Sequence, residues 1–361
     1  MHDFPYQAGR RKCPHTCLVA LTEAGACLFA CPICYARAYP WSQNDRIVIY
    51  ENIVEKLQAE LDSAQIIFPI YLSQVTDPLQ PIPEIRLTTK KIVQLLIDYR
   101  LSFGIVTKSA EGPLWLLNQV PELIDYPYWF LTVTVEAVPS KQIVTSPNAS
   151  PIAHRLKTIE YFNRLGIPAI ARIDPTLLGL MTESDVLWLV KRAAGAGSKH
   201  IIASTGYFNK VSLLRVIESI KKSVWERKLK QFLQFYRVDL NKIDSVEERK
   251  RFTVPLPIRQ KFHIWLRNET EALGMTYAVC QELPKEFDSQ GIPSCEGAKN
   301  IFVHKKDPTG QFKPINCHGD CLRNCPNPNL PPCGEKRFLT IYPYPLKLLF
   351  APAQQMTITY N

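Results

Sequence analysis

Between residues 17 and 222 the chain repeats one rhythm, a short apolar run followed by an amphipathic stretch, and this alternation constrains the fold more than any other feature. Cys17–Thr22, Ile66–Gln74, Phe103–Thr107, Trp129–Val135, Pro168–Ile173 and His200–Ala203 are apolar runs of strand length. Between them, Tyr50–Ser63 places Ile53, Val54, Leu57 and Leu61 on one helical stripe. Thr88–Tyr99, Pro113–Val120, His154–Leu165, Glu183–Ala194 and Val211–Lys222 also read as helices, the first opening on a Thr cap. Six such units predict an α/β fold, a parallel sheet with its crossover helices packed outside. Right-handed crossovers then allow either an open doubly wound sheet or a partial barrel. In both, polar groups at the C-terminal strand ends line the site.

Composition changes near residues 222 and 280, which divides the chain into an expected core (1–222), a basic helical segment (223–279) and a cysteine-rich extension (280–361). Lys221–Arg267 holds thirteen Lys or Arg against five acidic residues, interleaved with Trp225, Phe232, Phe235, Tyr236, Phe252, Phe262 and Trp265. Cations with aromatics suit a nucleic-acid surface. The spacing of Trp225, Leu229, Phe232, Phe235 and Tyr236 equally suits a helix that buries its aromatics and leaves its cations in water. The net charge of +10 favours a polyanionic partner. The longest apolar runs, such as Ala64–Leu72, are too short for a membrane span, and no apolar leader precedes residue 30, so a cytoplasmic protein is expected. There an odd count of eleven clustered cysteines favours metal ligation over disulfides.

Cys27-Leu-Phe-Ala-Cys31-Pro-Ile-Cys34-Tyr35 sets three thiols within eight residues, directly after the first strand. Such a loop can wrap one face of an iron–sulfur cubane, with each thiolate on a different iron and the fourth iron left open for chemistry. Zinc, completed by His15 or Cys17, is equally compatible with the spacing.

The Cys-x3-Cys-x2-Cys motif in this position resembles that of the radical S-adenosylmethionine (SAM) superfamily. The resemblance implies a partial (β/α)6 TIM-type barrel and a 4Fe–4S cluster on Cys27, Cys31 and Cys34. It also implies SAM chelated at the open iron, an electron donor such as flavodoxin or ferredoxin, and a 5′-deoxyadenosyl radical that abstracts hydrogen from substrate. Within the superfamily the chain looks like the spore photoproduct lyase-like group, on the strength of Ser73-Gln-Val-Thr76-Asp77-Pro78, Val106-Thr-Lys108-Ser109, Thr134-Val-Glu136, Arg155-Leu156 and Ala171-Arg172-Ile-Asp-Pro175. That likeness implies a SAM site built from Ser73, Thr76, Asp77, Lys108, Thr134, Glu136 and Arg172, with Lys108 on the carboxylate, Ile33 beside adenine and Tyr35 beside the cluster. Gln74 stands where the lyase has its hydrogen-donating cysteine, so the resemblance extends to the scaffold and not to thymine-dimer repair.

Cys295, Cys317, Cys321, Cys325 and Cys333 follow, with Cys280 upstream. Cys295 to Cys317 reads as a hairpin turning at Gly310, similar to the auxiliary-cluster hairpin of SPASM and twitch extensions, although the spacing differs. Thiolates this dense serve a metal, either iron–sulfur or zinc, with His304 or His318 as further zinc candidates. Cys13 and Cys17 could join Cys280 and Cys295 around a second auxiliary cluster. Three functions remain compatible with the sequence: a radical SAM enzyme acting on a nucleic acid or nucleotide, one acting on a peptide or small metabolite, and a non-catalytic, metal-stabilised nucleic-acid-binding protein.

Overall fold

The computed structural model describes residues 14–42, 44–72, 75–247, 250–321 and 324–340, together with the backbone of the strand Gln355–Ile358. Seven parallel strands run in sequence order across one sheet: β1 (Cys17–Val19), β2 (Ile70–Leu72), β3 (Phe103–Thr107), β4 (Trp129–Thr134), β5 (Ala169–Ile173), β6 (His200–Ala203) and β7 (Thr276–Val279). Strand alternation sorts their side chains to two sides. Ile70, Leu72, Phe103, Ile105, Leu131, Val133, Ala171, Ile173 and Ile201 face outward into the main apolar core. There they meet α1 (Ile53–Ser63), α2 (Pro83–Asp98), α3 (Glu111–Gln119), α4 (Ile152–Arg164), α5 (Glu183–Gly195) and α6 (Lys210–Lys221).

The opposite face is much smaller. Leu18, Tyr71, Phe130, Ile170 and Ile202, from five different strands, converge with Ala298 and Ile301 on one cluster, so the sheet curves around it into a partial barrel. Gly104 sits in register between Tyr71 and Phe130 in this layer. A Cβ there would lie 2.4 Å from Phe130 Cε1, so the missing side chain is what admits the ring. Further along the strands the inward positions become polar, with Lys108, Thr132, Thr134, Glu136 and Arg172. The interior is therefore apolar at its N-terminal end and charged at its C-terminal mouth.

Three features depart from the sequence reading. The run expected as one strand, Ile66–Gln74, is divided at Pro69, which has no N–H to continue a ladder. Ile66–Ile67 pairs instead with the hairpin His304–Lys306/Phe312–Pro314, which turns at Gly310 (φ +83°) as expected. Helix α2 starts at Pro83, whose fixed φ suits a first helical position, and the Thr88 hydroxyl donates to Glu84 O inside the helix rather than capping it. The sheet also continues past residue 222, because α7 (Leu256–Glu271) crosses over to β7, which pairs with β6 through Thr276↔His200 to Val279↔Ala203.

In the basic segment Phe232, Tyr236, Phe252 and Phe262 are buried, while Trp225 lies on the Lys141 ammonium, 4.6 Å from the ring centre. These aromatics pack inward, which leaves the neighbouring cations in solvent. From Cys295 the chain passes beneath the N-terminal strand ends. Cys295 O bonds His200 Nε2, Asn300 Nδ2 donates to Pro127 O and Trp129 O, and Phe302 N donates to Ser102 Oγ. That strap puts Ala298 and Ile301 under the barrel as its floor. Among the described residues no helix is long and apolar enough to cross a membrane.

Candidate active site

The thiol loop leaves the C-terminal end of β1 and is held by the loop after β2. Thr22 Oγ1 donates to Thr76 Oγ1 (2.9 Å), and Leu28 N donates to Oε1 of the fully buried Gln80 (2.8 Å). Ala30, at φ +42°, reverses the chain, Cys34 N closes a turn on Cys31 O, and Arg215 Nη2 donates to Cys34 O (2.9 Å). Cys31 is buried and interacts electrostatically with both Cys27 and Cys34. Burial pushes the Cys27 thiol far up, with Asp77 adding to it. The same burial raises Cys31 to about 12, against the pull of Lys108. Thiols this desolvated become thiolates only beside a strong cation such as iron.

The residues that would complete a zinc tetrahedron lie elsewhere. His15, at the other end of β1, bonds Phe338 O (3.1 Å), and Cys17 points to the outer core among apolar side chains. Three thiols with no fourth protein ligand among the described residues fit a cubane with one open iron. No three described His, Cys, Asp or Glu side chains, the loop cysteines included, are gathered as ligands of a single ion.

Lys108 faces these thiols. Burial lowers its pKa, but Glu136 and then Cys31 outweigh that and hold it protonated. Glu136 is fully buried; its oxygens accept from Arg155 Nη1 (2.9 Å), Thr145 Oγ1 (2.9 Å) and Ser146 Oγ (2.5 Å). Burial pushes its carboxyl up, and Arg155 with Lys108 brings it below the ordinary range. Thr134 gives its carbonyl to Arg155 Nη1 (3.0 Å). Asp77 accepts from Thr107 Oγ1 (2.8 Å), Lys108 N (2.6 Å) and Leu79 N (2.9 Å), which pins the loop after β2 to the end of β3. Asp77 and Glu136 therefore position Lys108 and Arg155, with their own oxygens already engaged. Ile33 is buried in the main core, and Tyr35 is half-buried with its edge to Tyr39. Ser73 and Gln74 lie outside the described residues.

Arg172 reaches across the opposite wall. Nη1 bonds Asp174 Oδ2 (2.8 Å) and Cys280 Sγ (3.4 Å), and Nη2 bonds Glu296 Oε1 (2.8 Å). Its Nε and the hydroxyl of fully buried Thr132 have no hydrogen-bond partner among the described residues, so the cavity wall keeps polar groups able to meet a ligand. Sequence reasoning missed Thr132, Asp174, Arg215 and Glu296. Two-residue alternation from Thr134 and Arg172 would have found Thr132 and Asp174.

The remaining cysteines divide. Cys317, Cys321, Cys325 and Cys333 interact with one another. Cys317 accepts hydrogen bonds from the Cys321 thiol and from Gly319 N (3.4 Å), which holds it below the usual thiol range. Gly319 O accepts from His15 N, so this group sits at the N-terminal end of β1, away from Cys27, Cys31 and Cys34. His304 Nε2 bonds Ser102 Oγ and His318 Nδ1 bonds Ile301 O, while His304 Nδ1 is buried with no hydrogen-bond partner among the described residues. The structure does not join Cys17 to Cys280, because Cys17 points outward from the sheet and Cys280 packs against the inward cluster beside Arg172. Cys13 lies outside the described residues.

No protein-family model matches the sequence. A curated protein of Pseudomonas phage M6, named radical SAM Nalpha-GlyT isomerase, is 22% identical over 351 residues, covering 91% of this chain and 71% of the relative. The chain is similar in sequence to a radical SAM protein. Solved structures similar to it include spore photoproduct lyase variants, one with AdoMet and dinucleoside spore photoproduct bound (14% identity, TM-score 0.49, 74% of this chain and 76% of that one). Another is SuiB of Streptococcus suis bound to S-adenosylmethionine (12% identity, TM-score 0.39, 60% and 49%). In this chain the cysteine loop, Lys108 and the Glu136–Arg155 pair occupy the charged mouth, while the Cys317 group lies at the floor.

Proposed function

We propose that the enzyme cleaves SAM reductively at a 4Fe–4S cluster on Cys27, Cys31 and Cys34 and modifies a nucleic acid or nucleotide. Bound there and reduced by a flavodoxin or ferredoxin, the cluster would supply the electron that turns SAM into methionine and a 5′-deoxyadenosyl radical. The observation that carries this reading is the three-thiol loop facing Lys108, with His15 and Cys17 directed elsewhere.

Lys108, kept protonated, would bind the carboxylate of SAM through a charge-assisted bond. The Glu136–Arg155 pair, engaged by Thr145, Ser146 and Thr134, fixes the electrostatics around that lysine. The apolar floor of Leu18, Tyr71, Phe130, Ala298 and Ile301 excludes water from below, which protects a radical site. The net charge of +10 supports a polyanionic substrate, and the isomerase name of the phage relative supports a redox-neutral rearrangement. A metal on the floor cysteines would organise the strap, since that group lies at the opposite end of β1.

Anaerobic protein given dithionite and SAM is expected to form 5′-deoxyadenosine, and Cys31→Ala to form none. Wild-type protein that carries four irons but yields no 5′-deoxyadenosine would refute the activity. Single-stranded oligonucleotides, nucleosides and peptides then compete as substrates in one mass-spectrometric assay; conversion of the peptide alone would overturn the nucleic-acid reading.

A further inference from the structure

The aromatics of the basic segment are turned inward, but another aromatic pair at the mouth is not. Tyr39 and Trp41 follow the thiol loop directly, and their rings are stacked, with centroids 4.9 Å apart and planes at 22°. Trp41 is 67% exposed, the most open aromatic among the exposed large apolar side chains. Burying an indole is worth far more than leaving it in water, so an exposed Trp held against a second ring calls for an occupant.

The location suggests which one. Tyr39 meets Tyr35 edge to face at 5.8 Å, and Tyr35 lies within electrostatic reach of Cys34, Tyr207 and Asp174. Asn209 Nδ2 donates to Ala38 O (3.0 Å), which ties this turn to the strand Tyr207–Phe208. On that strand the Arg251 guanidinium covers Tyr207 at 4.9 Å, and its exposed neighbour Lys250 lies 5.5 Å from Phe252. One rim of the mouth thus carries an open aromatic pair, a line of rings leading inward, and exposed cations.

We propose that Tyr39 and Trp41 form a stacking platform for a base of a single-stranded nucleic acid, with its phosphates along Lys250 and Arg251. This rests on the nucleic-acid reading above and deepens it, since it makes the unpaired strand the form that is recognised. Every base offers a π-face, so the platform sets position and tolerates sequence. A duplex keeps its bases stacked internally and gives the platform nothing to hold.

The test is anisotropy of a fluorescein-labelled single-stranded DNA, about 12 nucleotides long as suits one such groove, titrated with anaerobic holoenzyme at several salt concentrations. Trp41→Ala is expected to weaken binding about tenfold and Trp41→Phe much less, as base–aromatic stacking requires. Lys250→Ser/Arg251→Ser is expected to weaken binding and to flatten the salt dependence by about 0.7 for each phosphate that is no longer neutralised. Far-UV circular dichroism confirms that each variant is folded. Unchanged affinity in folded Trp41→Ala, or equal losses in the Ala and Phe variants, overturns the platform alone. Wild-type protein that ignores DNA and RNA single strands overturns the nucleic-acid reading itself.

Discussion

Replacing Arg155 with Met removes the partner of a carboxylate that has no access to water. Glu136 and Arg155 are both 0% exposed and meet at 2.9 Å. Arg155 also donates from Nε to Ser150 O (2.6 Å), from Nη1 to Thr134 O (3.0 Å) and from Nη2 to Ser146 Oγ (2.8 Å). Met fills similar volume but returns none of these bonds. Breaking a buried pair on one side costs about 3–5 kcal/mol, chiefly through the charge left behind. Two hydroxyl donors remain on Glu136 and Lys108 lies nearby, so the lower half of that range, about 3 kcal/mol, is expected. Glu136→Gln/Arg155→Met leaves no stranded carboxylate and should recover about 2 kcal/mol of the loss, a coupling readable in a double-mutant cycle. The pH dependence has a definite sign. Without Arg155 the folded pKa of Glu136 rises above its unfolded value, so the penalty is full at pH 7 and shrinks as pH falls through the raised pKa. Urea unfolding at pH 7 and pH 5 measures all of this. A loss under 1 kcal/mol for Arg155→Met, or strict additivity in the double variant, would refute the assignment of a buried, coupled pair.

Gly104→Ala places a methyl carbon 2.4 Å from Phe130 Cε1 and should cost about 1–3 kcal/mol as overpacking; Gly104→Ala/Phe130→Leu should restore most of it in the same unfolding assay. Burial lowers both His15 and His304 to about 4, so the stability they contribute is present above about pH 6.5 and is lost as pH falls towards 4, by roughly 3 kcal/mol each at most. His304→Leu should therefore make the thermal midpoint less sensitive between pH 7 and pH 4.5, and an unaltered profile would contradict the burial argument. Cys321→Ser is expected to lower metal content and thermal midpoint while the rate of 5′-deoxyadenosine formation changes little, because the floor cysteines lie away from the thiol loop; a comparable loss of rate would place them in the reaction.

The sheet strands and the thiol loop were readable because each is a local pattern: a run of apolar residues, or three cysteines at fixed offsets. The seventh strand is not legible in the sequence because Thr276–Val279 is only four residues long and follows a strongly basic segment, and it is the sheet edge beside His200–Ala203 that makes it a strand. The resemblance implies Asp77 and Glu136 beside the cofactor; in the structure both are buried and bonded to protein groups. Their actual partners, Thr107 and Arg155, come from other elements, and no spacing rule reveals that a carboxylate is already fully engaged. The end of the barrel at which Cys317, Cys321, Cys325 and Cys333 gather was equally hidden. It depends on the path of residues 295–303 beneath the strands, which is set by hydrogen bonds to His200, Trp129 and Ser102.

The strap and its hairpin also order events during synthesis. His15 bonds Phe338, Ile66–Ile67 pairs with His304–Lys306, and Ile47–Tyr50 pairs with Gln355–Ile358, so early segments wait for neighbours made roughly 240 to 320 residues later. At about 5–20 residues per second that delay is on the order of 12–65 s. For that interval β1 stands at the edge of the sheet without the strap and hairpin that later close over its N-terminal end. Closure of the floor is therefore among the last events of folding.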